Sequence, residues 1–559
     1  MNPQQHLWWQ SGVIYQIYPR SFMDANGDGV GDLAGVIQKL DYLSDALGVD
    51  AIWLSPFYPS PMADFGYDVS DYCDVDPLFG DLATFDRLVE AAHARDLRVI
   101  VDMVPNHTSD QHPWFVESRS SRDNPKRDWY VWRDPKADGS PPNNWLSVFG
   151  GPAWTLDERT GQYYLHSFLK EQPDLNWRNP QVKEAMFDAY RFWLDRGVDG
   201  FRIDVAHFIM KDPALRDNPP NPQAEEYASA FKDLGEYGRW LHIHDQGHPD
   251  VHKVYQELRR ILDGYSEKNP RMMVGEIHEF DLEKWAAYYG PNLDEFHLPF
   301  NFALIGVPWD AAEVRRRVDA IEAVVPPGAW PNYVLGNHDE HRLASRFGAA
   351  QARTAAMLLL TLRGALTLYY GDEIGMTDVE IAPDLVQDPW GKQVAGLGLG
   401  RDPERTPMQW DDGPNAGFAS AEVERTWLPV SPDYREVNVA RELADPSSIL
   451  SLYRRLLALH SQSVALQLGG YRSLDGGPDD CFIYVREHED ERLLIALNFS
   501  GEERALDVDA YAGGELVLST HLDREGALER PALHLRPHEG VIIACTNRPS
   551  SSFTSTYTP

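Results

Sequence analysis

Eight short apolar runs, most of them followed by a longer amphipathic stretch, constrain this chain more than any other feature. The runs are VIYQIYP (13–19), AIWLSP (51–56), RVIVDMVP (98–105), GFRID (200–204), MMVGEI (272–277), EFHLPFN (295–301), NYVLGN (332–337) and ALTLYYGDE (365–373). Helix-patterned segments such as LAGVIQKLDYLSDAL, FDRLVEAAHARD and VKEAMFDAYRFWLDRG lie between them. Strands that are apolar along nearly their whole length belong in a parallel sheet covered on both faces. Eight such units predict an α/β fold closed into a (β/α)8 TIM barrel rather than an open sheet.

The uneven spacing predicts further parts. The gap between the third and fourth runs holds about 95 residues, too many for a plain loop. It contains WFVESRSSRDNPKRDWYVWRDPKADGSPPNNW, rich in Trp, Pro and charge, and predicts a small inserted domain over the barrel mouth. The expected division is a barrel from 1–104 and 174–470, an inserted domain from 105–173, and an irregular subdomain from 374–430. Beyond these, short β-like runs (CFIYVRE, RLLIALNF, ELVLST, GVIIAC) predict an antiparallel β-sandwich over 471–546, and 547–559 reads as a disordered tail.

Charge narrows the partners. The 559 residues carry a net charge of −35, which disfavours phosphate backbones and anionic membranes. No apolar run approaches the roughly 18 residues of a membrane helix. Cys73, Cys481 and Cys545 are far apart and fit no metal or redox spacing, so a reducing compartment is expected. No Lys or Arg precedes Arg20, so the start lacks a signal peptide's charged region and a cytoplasmic protein is expected.

Four segments place polar groups just after apolar strands: DMVPNH (102–107), GFRIDVAHF (200–208), MVGEIHEF (273–280) and VLGNHDEHR (334–342). In a barrel these converge on one mouth, where barrel enzymes work. Asp204, Glu276 and Asp339 would then gather with His107, Arg202 and His338. A lone carboxylate is usually a helix cap or half of an ion pair. Several crowded in one cleft repel one another, and such crowding is a mark of acid–base sites. Three carboxylates, an arginine, two histidines and aromatic walls suit glycosidic cleavage: one carboxylate attacks the anomeric carbon and a second protonates the leaving oxygen.

These segments resemble the four signature regions of the α-amylase superfamily of glycoside hydrolases (family 13). Within it, the chain is similar to bacterial α-glucosidases and oligo-1,6-glucosidases. QPDLN (172–176), GRDPERTPMQW (400–410) and WWQSGVIYQIYPRSF (8–22) carry the same resemblance. It implies a retaining double displacement with Asp204 as nucleophile, Glu276 as general acid/base and Asp339 as transition-state stabiliser. Arg202 would hold Asp204 ionised, and the surroundings of Glu276 would raise its pKa. The resemblance further implies that His107 and His338 bond sugar hydroxyls. Asp64, Tyr67 and Arg405 would close the pocket, with Phe149 and Phe168 as its aromatic walls. Val205, after the nucleophile, goes with α-1,6 activity in this family. An exo-acting α-glucosidase for short oligosaccharides is the expectation, with no organic cofactor, as a monomer or homodimer, and with transglucosylation as a side reaction. A sucrose isomerase or trehalose synthase on the same scaffold is the alternative. Non-enzymatic transporter-associated relatives lose the catalytic carboxylates and carry a membrane segment, unlike this chain.

One stretch, DANGDGVGD (24–32), has two readings. Gly, Asp and Asn dominate surface turns. Asp24, Asn26 and Asp28 also alternate as in a cation loop, although Gly35 stands where an EF-hand needs its glutamate. The family resemblance implies a structural Ca2+, with Mg2+ as the alternative, on Asp24, Asn26, Asp28, the Val30 carbonyl and Asp32.

Overall fold

The computed structural model describes residues 6–224, 234–393, 398–489, 491–507, 514–528 and 532–545. All eight apolar runs contribute a barrel strand: Val13–Ile17, Ala51–Leu54, Arg98–Met103, Gly200–Ile203, Met272–Gly275, Leu298–Pro299, Asn332–Val334 and Ala365–Tyr369. They pair in parallel in the order seven, eight, one, two, three, four, five, six. One parallel bridge, Asn301 to Tyr333, closes the ring between six and seven. The sixth strand is the shortest expected run to survive. Pro299 has no N–H to give to a ladder, which limits the pairing there.

The side-chain parity of each strand locates the site. Ile14, Trp53, Ile100, Val274, Leu298 and Val334 form one apolar cluster inside the barrel. Their neighbours Val13, Ile52, Val101, Met273 and Tyr333 pack outward in the main core. Side chains two apart share a face. Asp102 therefore follows Ile100 on the inner face, Arg202 and Asp204 follow Gly200, and Glu276 follows Val274. The barrel interior turns from apolar to charged at its C-terminal end.

Helices start where the sequence supplies caps. Asp81 Oδ1 accepts from Thr84 N–H at 2.7 Å to open Leu82–His93, and Asn179 with Pro180 opens Pro180–Asp195. The segment LAGVIQKLDYLSDAL is less regular than expected. It forms an α-helix over Leu33–Gln38 and a π-helical turn over Tyr42–Leu47, ended by left-handed Gly48.

The long third connection holds a helix, Pro113–Ser120, and a three-stranded antiparallel sheet. Gln162–Leu165 lies between Trp132–Arg133 and Trp154–Asp157 in that sheet. Bridges from His107 to Asp174 and from Tyr130 to Leu175 tie it back to the barrel rim. The segment 374–430 is largely irregular in its described part, with short helical turns only. At the C-terminal end a six-stranded sheet packs Val485, Leu494 and Ile543 against Leu506, Leu533 and Leu535 of a two-stranded sheet. Its other face meets the barrel through Arg486, whose Nη1 donates to the Thr361 and Leu362 carbonyls. The tail 547–559 lies outside the described residues. Among the described residues no helix is long and apolar enough to cross a membrane, and Cys73, Cys481 and Cys545 are free.

Candidate active site

Arg202 organises the barrel mouth. It is 2% exposed, and its Nη1 donates to Asp102 Oδ1 at 2.9 Å and to Asp204 Oδ1 at 2.7 Å. Its Nη2 donates to Glu276 Oε2 at 2.5 Å. Strand register makes this arrangement unavoidable: Asp102 pairs with Arg202, and Ile203 pairs with Gly275, beside Asp204 and Glu276. Tyr67 O–H donates to Asp102 Oδ2 and so accepts from His338 Nε2 at 2.7 Å, leaving His338 Nδ1 to accept from Gln16.

Charge is unevenly divided around this guanidinium. Burial pushes Asp102 up to about 7, with Arg202 offsetting part of the shift. Asp204 is pushed well above the carboxylate range by burial, with Glu276 and Asp102 adding to the rise against Arg202. Burial raises Glu276 too, but Arg202 and His278 outweigh it and hold this carboxyl below the usual range. For Glu276 the direction is opposite to the expectation that its surroundings raise it. Glu276 has the better donors: Oε2 also accepts from Val205 N–H at 3.0 Å, and Oε1 lies 2.9 Å from His278 Nε2. Val205 reaches that bond from a left-handed backbone, φ 36° and ψ 48°, a strained state for a β-branched residue.

A pocket opens above these groups. It is lined by Asp64, Tyr67, His107, Phe149, Phe168, Asp204, Val205, Glu276, His338 and Asp339, so the structure brings ten expected residues together. Arg202 lies behind this wall. Arg405 also lies behind it, donating to the His338 carbonyl at 2.6 Å and to Asp339 Oδ1 at 2.8 Å. The partner of Asp64 is Arg401 instead. Arg401 Nη2 bonds Asp64 Oδ1 at 2.7 Å and Asp388 Oδ1 at 2.6 Å, and its Nη1 reaches Asp339 Oδ1 at 3.1 Å. Burial raises the Asp339 carboxyl, but His338, Arg401 and Arg405 together hold it well below the usual range. His107 and His338 are driven by burial to about 4 and about 3, so both are neutral near pH 7.

Arg401 and Asp388 were not among the expected residues, nor were Asp102, His207 and His278. Arg401 stands four residues before Arg405 in the same GRDPERTPMQW motif. Leu234, Tyr237 and Gln246 also line the pocket. They give the 209–250 segment a place in its outer wall, although 225–233 lies outside the described residues.

The loop 24–32 is separate from the pocket. Asp24 accepts from Gly27 N–H at 2.6 Å and Gly29 N–H at 2.8 Å, while Asn26 and Asp28 each cap a backbone N–H two residues on. Asp32 Oδ1 caps the following helix through Gly35 N–H. Gly29 is required, because a Cβ there would sit 2.4 Å from the Arg425 carbonyl oxygen. Among the described residues only His341, Asp378 and Glu404 offer three carboxylate or imidazole groups within 4.8 Å of one another. Asp24, Asp28 and Asp32 do not, so a cation there would have to draw them inward.

Comparison with known proteins agrees with this architecture. Residues 16–469 match the family model of the alpha amylase catalytic domain, and 471–542 that of the maltogenic amylase C-terminal domain. A probable alpha-glucosidase of Rhizobium meliloti (strain 1021) is 44% identical, over 89% of this chain and 90% of its own. An oligo-1,6-glucosidase of Parageobacillus thermoglucosidasius is 39% identical over 96% and 99%. Among solved structures, the alpha-glucosyl transfer enzyme XgtA superposes with a TM-score of 0.91 at 44% identity, covering 97% of this chain and all of that one. The trehalulose synthase MutB of Pseudomonas mesoacidophila MX-45 superposes with a TM-score of 0.87 at 37% identity, over 97% and 100%. A charged, arginine-centred mouth on a (β/α)8 barrel, matched along nearly the whole chain, has one family assignment: the protein belongs to the α-amylase family of glycoside hydrolases.

Proposed function

We propose that the protein is an exo-acting, retaining α-glucosidase that removes terminal α-linked glucose from short oligosaccharides. The observation that carries this is one guanidinium shared by Asp204 and Glu276 beside a pocket that the Arg401–Asp64 ion pair helps to wall. Two carboxyls bridged by one arginine suit the ~5–5.5 Å separation of direct attack better than the ~6.5–9.5 Å that admits a water. An ion pair between Asp64 and Arg401 suits binding of a chain end, not the middle of a polymer.

In this mechanism Asp204 attacks the anomeric carbon while Glu276 protonates the leaving oxygen. A sugar seated over the cluster first displaces the partly exposed His278 bond at Oε1, which lets Glu276 move off Arg202 toward the glycosidic oxygen. Glu276 then loses its strongest donor and takes up the cluster's proton, and Arg202 is left to stabilise the Asp204 carboxylate. Glu276 afterwards removes a proton from water, which releases glucose from the covalent glucosyl-Asp204. Asp339, held by Arg401 and Arg405, bonds the ring hydroxyls. If a second sugar replaces the water, glucose is transferred. The neighbours named for glucosyl transfer and trehalulose synthesis favour that as the second reading.

Product analysis of time courses on isomaltose, maltose, trehalose and sucrose separates the two. Glucose release as the main course supports hydrolysis. Isomeric or elongated products in excess over glucose support transfer, and consumption of none of the four ends the proposal. Val205→Thr is expected to move the α-1,6 to α-1,4 ratio toward α-1,4 by about tenfold, the scale of one altered pocket contact.

For the loop, a structural Ca2+ on Asp24, Asn26, Asp28, the Val30 carbonyl and Asp32 is the proposal, with Mg2+ as the alternative ion. Chelator-treated protein should melt higher when Ca2+ is restored at a hundred times its Kd, by the equivalent of about 2.7 kcal/mol. An unchanged melting curve rejects the site.

A further inference from the structure

Glu276 is held by a group that stands outside the catalytic carboxylates. His278 lies two residues further along the chain. Its Nε2 is 2.9 Å from Glu276 Oε1, the oxygen that Arg202 and Val205 leave open. The ring is fixed from behind, stacked on Phe302 at 4.3 Å between centroids and 7° between planes. Its side chain is 38% exposed, whereas that of Glu276 is 6% exposed. His278 also lines a neighbouring cavity as well as the sugar pocket. The buried carboxylate is thus joined to a partly exposed ring that lines both cavities.

We propose that His278 is a positioning residue for the acid/base, holding Glu276 in its arginine-bound position and so setting when that carboxyl takes up its proton. This rests on the α-glucosidase reading. A hydrogen bond to the charged form of a carboxyl favours that form. Both Glu276 oxygens are engaged, so neither can reach a glycosidic oxygen until one bond opens. The Oε2 side is bonded by a buried guanidinium and a backbone N–H. The His278 side, half-open to solvent, is the one a substrate can compete with. The other charged or titratable groups facing Glu276 are Arg202, Asp102, Asp204, Asp339 and His207. Those facing His278 are His207 in the sugar pocket and Glu279, Arg316 and Arg317 around the second cavity. None of them donates to Oε1, which makes the His278 contribution separable.

The test is the pH profile of kcat/KM on an aryl α-glucoside, which reports proton loss from the free enzyme. His278→Phe keeps the stack on Phe302 and removes the donor. The Glu276 cluster then holds its proton more tightly, so the alkaline limb should move up by about one pH unit. His278→Gln restores an N–H donor and should return the limb to within about 0.3 of the starting protein, on the same principle. Melting curves establish that both variants fold. A His278→Phe variant that loses rate with its alkaline limb unmoved overturns the proposal, as does a Gln variant that behaves like Phe. Starting protein with no glucosidase activity at all would instead remove the functional reading beneath it.

Discussion

Replacing Asp204 by asparagine is expected to lower kcat/KM on an aryl α-glucoside by about 10^4-fold or more while making the protein melt higher at pH 8. The two effects have one origin. The substituted amide would keep an oxygen for Arg202 Nη1, now 2.7 Å from Asp204 Oδ1, so the mouth retains its geometry. An amide cannot form the glucosyl ester, and the first displacement stops. The stability gain follows from burial. Asp204 holds its proton more tightly folded than unfolded, since burial and the charges of Glu276 and Asp102 push it well up. Such a group contributes stability below the unfolded carboxylate pKa and loses it as pH rises toward the folded value. The neutral amide escapes that loss. The melting difference between variant and parent should therefore be positive at pH 8 and shrink toward pH 4. Functional residues held at the expense of stability are expected at active sites. Turnover near the parental rate in this variant would remove the nucleophile assignment.

The barrel was legible because its signal is periodic. Apolar strands such as Val13–Ile17 and Arg98–Met103 are buried nearly throughout, and eight of them close only one way. Even the polar mouth follows from parity, since Arg202 and Asp204 sit two apart on one strand end. What escaped was set by irregular backbone. Arg401 and Asp388 lie in a segment with no period, so nothing in the pattern says that Arg401 rather than Arg405 faces Asp64. The direction of the Glu276 shift was not legible for a related reason. Arg202 and then His278 hold its carboxyl low, and a left-handed turn at Val205 aims a further N–H at the same group. Local propensity gives no warning of such a turn in a β-branched residue. The carboxylates were visible one at a time, and their division of one guanidinium was not.

That division makes Arg202→Met the second large effect. Three carboxylates, Asp102, Asp204 and Glu276, bond this one side chain, which is itself 2% exposed. Methionine fills most of the volume and supplies neither charge nor donor. Removing one partner of a buried ion cluster costs about 3–5 kcal/mol, because the remaining charges are left uncompensated. The variant has an escape that a plain cavity lacks: its carboxylates can take up protons. Without the guanidinium their folded-state pKa values rise, so the folded protein binds more protons than the unfolded chain across the acid to neutral range. Stability of the variant then falls as pH rises. Its melting deficit against the parent should be largest near pH 8 and smaller near pH 5, with activity lost at both because no guanidinium remains to stabilise the Asp204 carboxylate once Glu276 takes up the proton. Thermal melts of both proteins across that range check this. A deficit independent of pH would mean that Arg202 acts by packing, and that the charge division drawn around it is wrong.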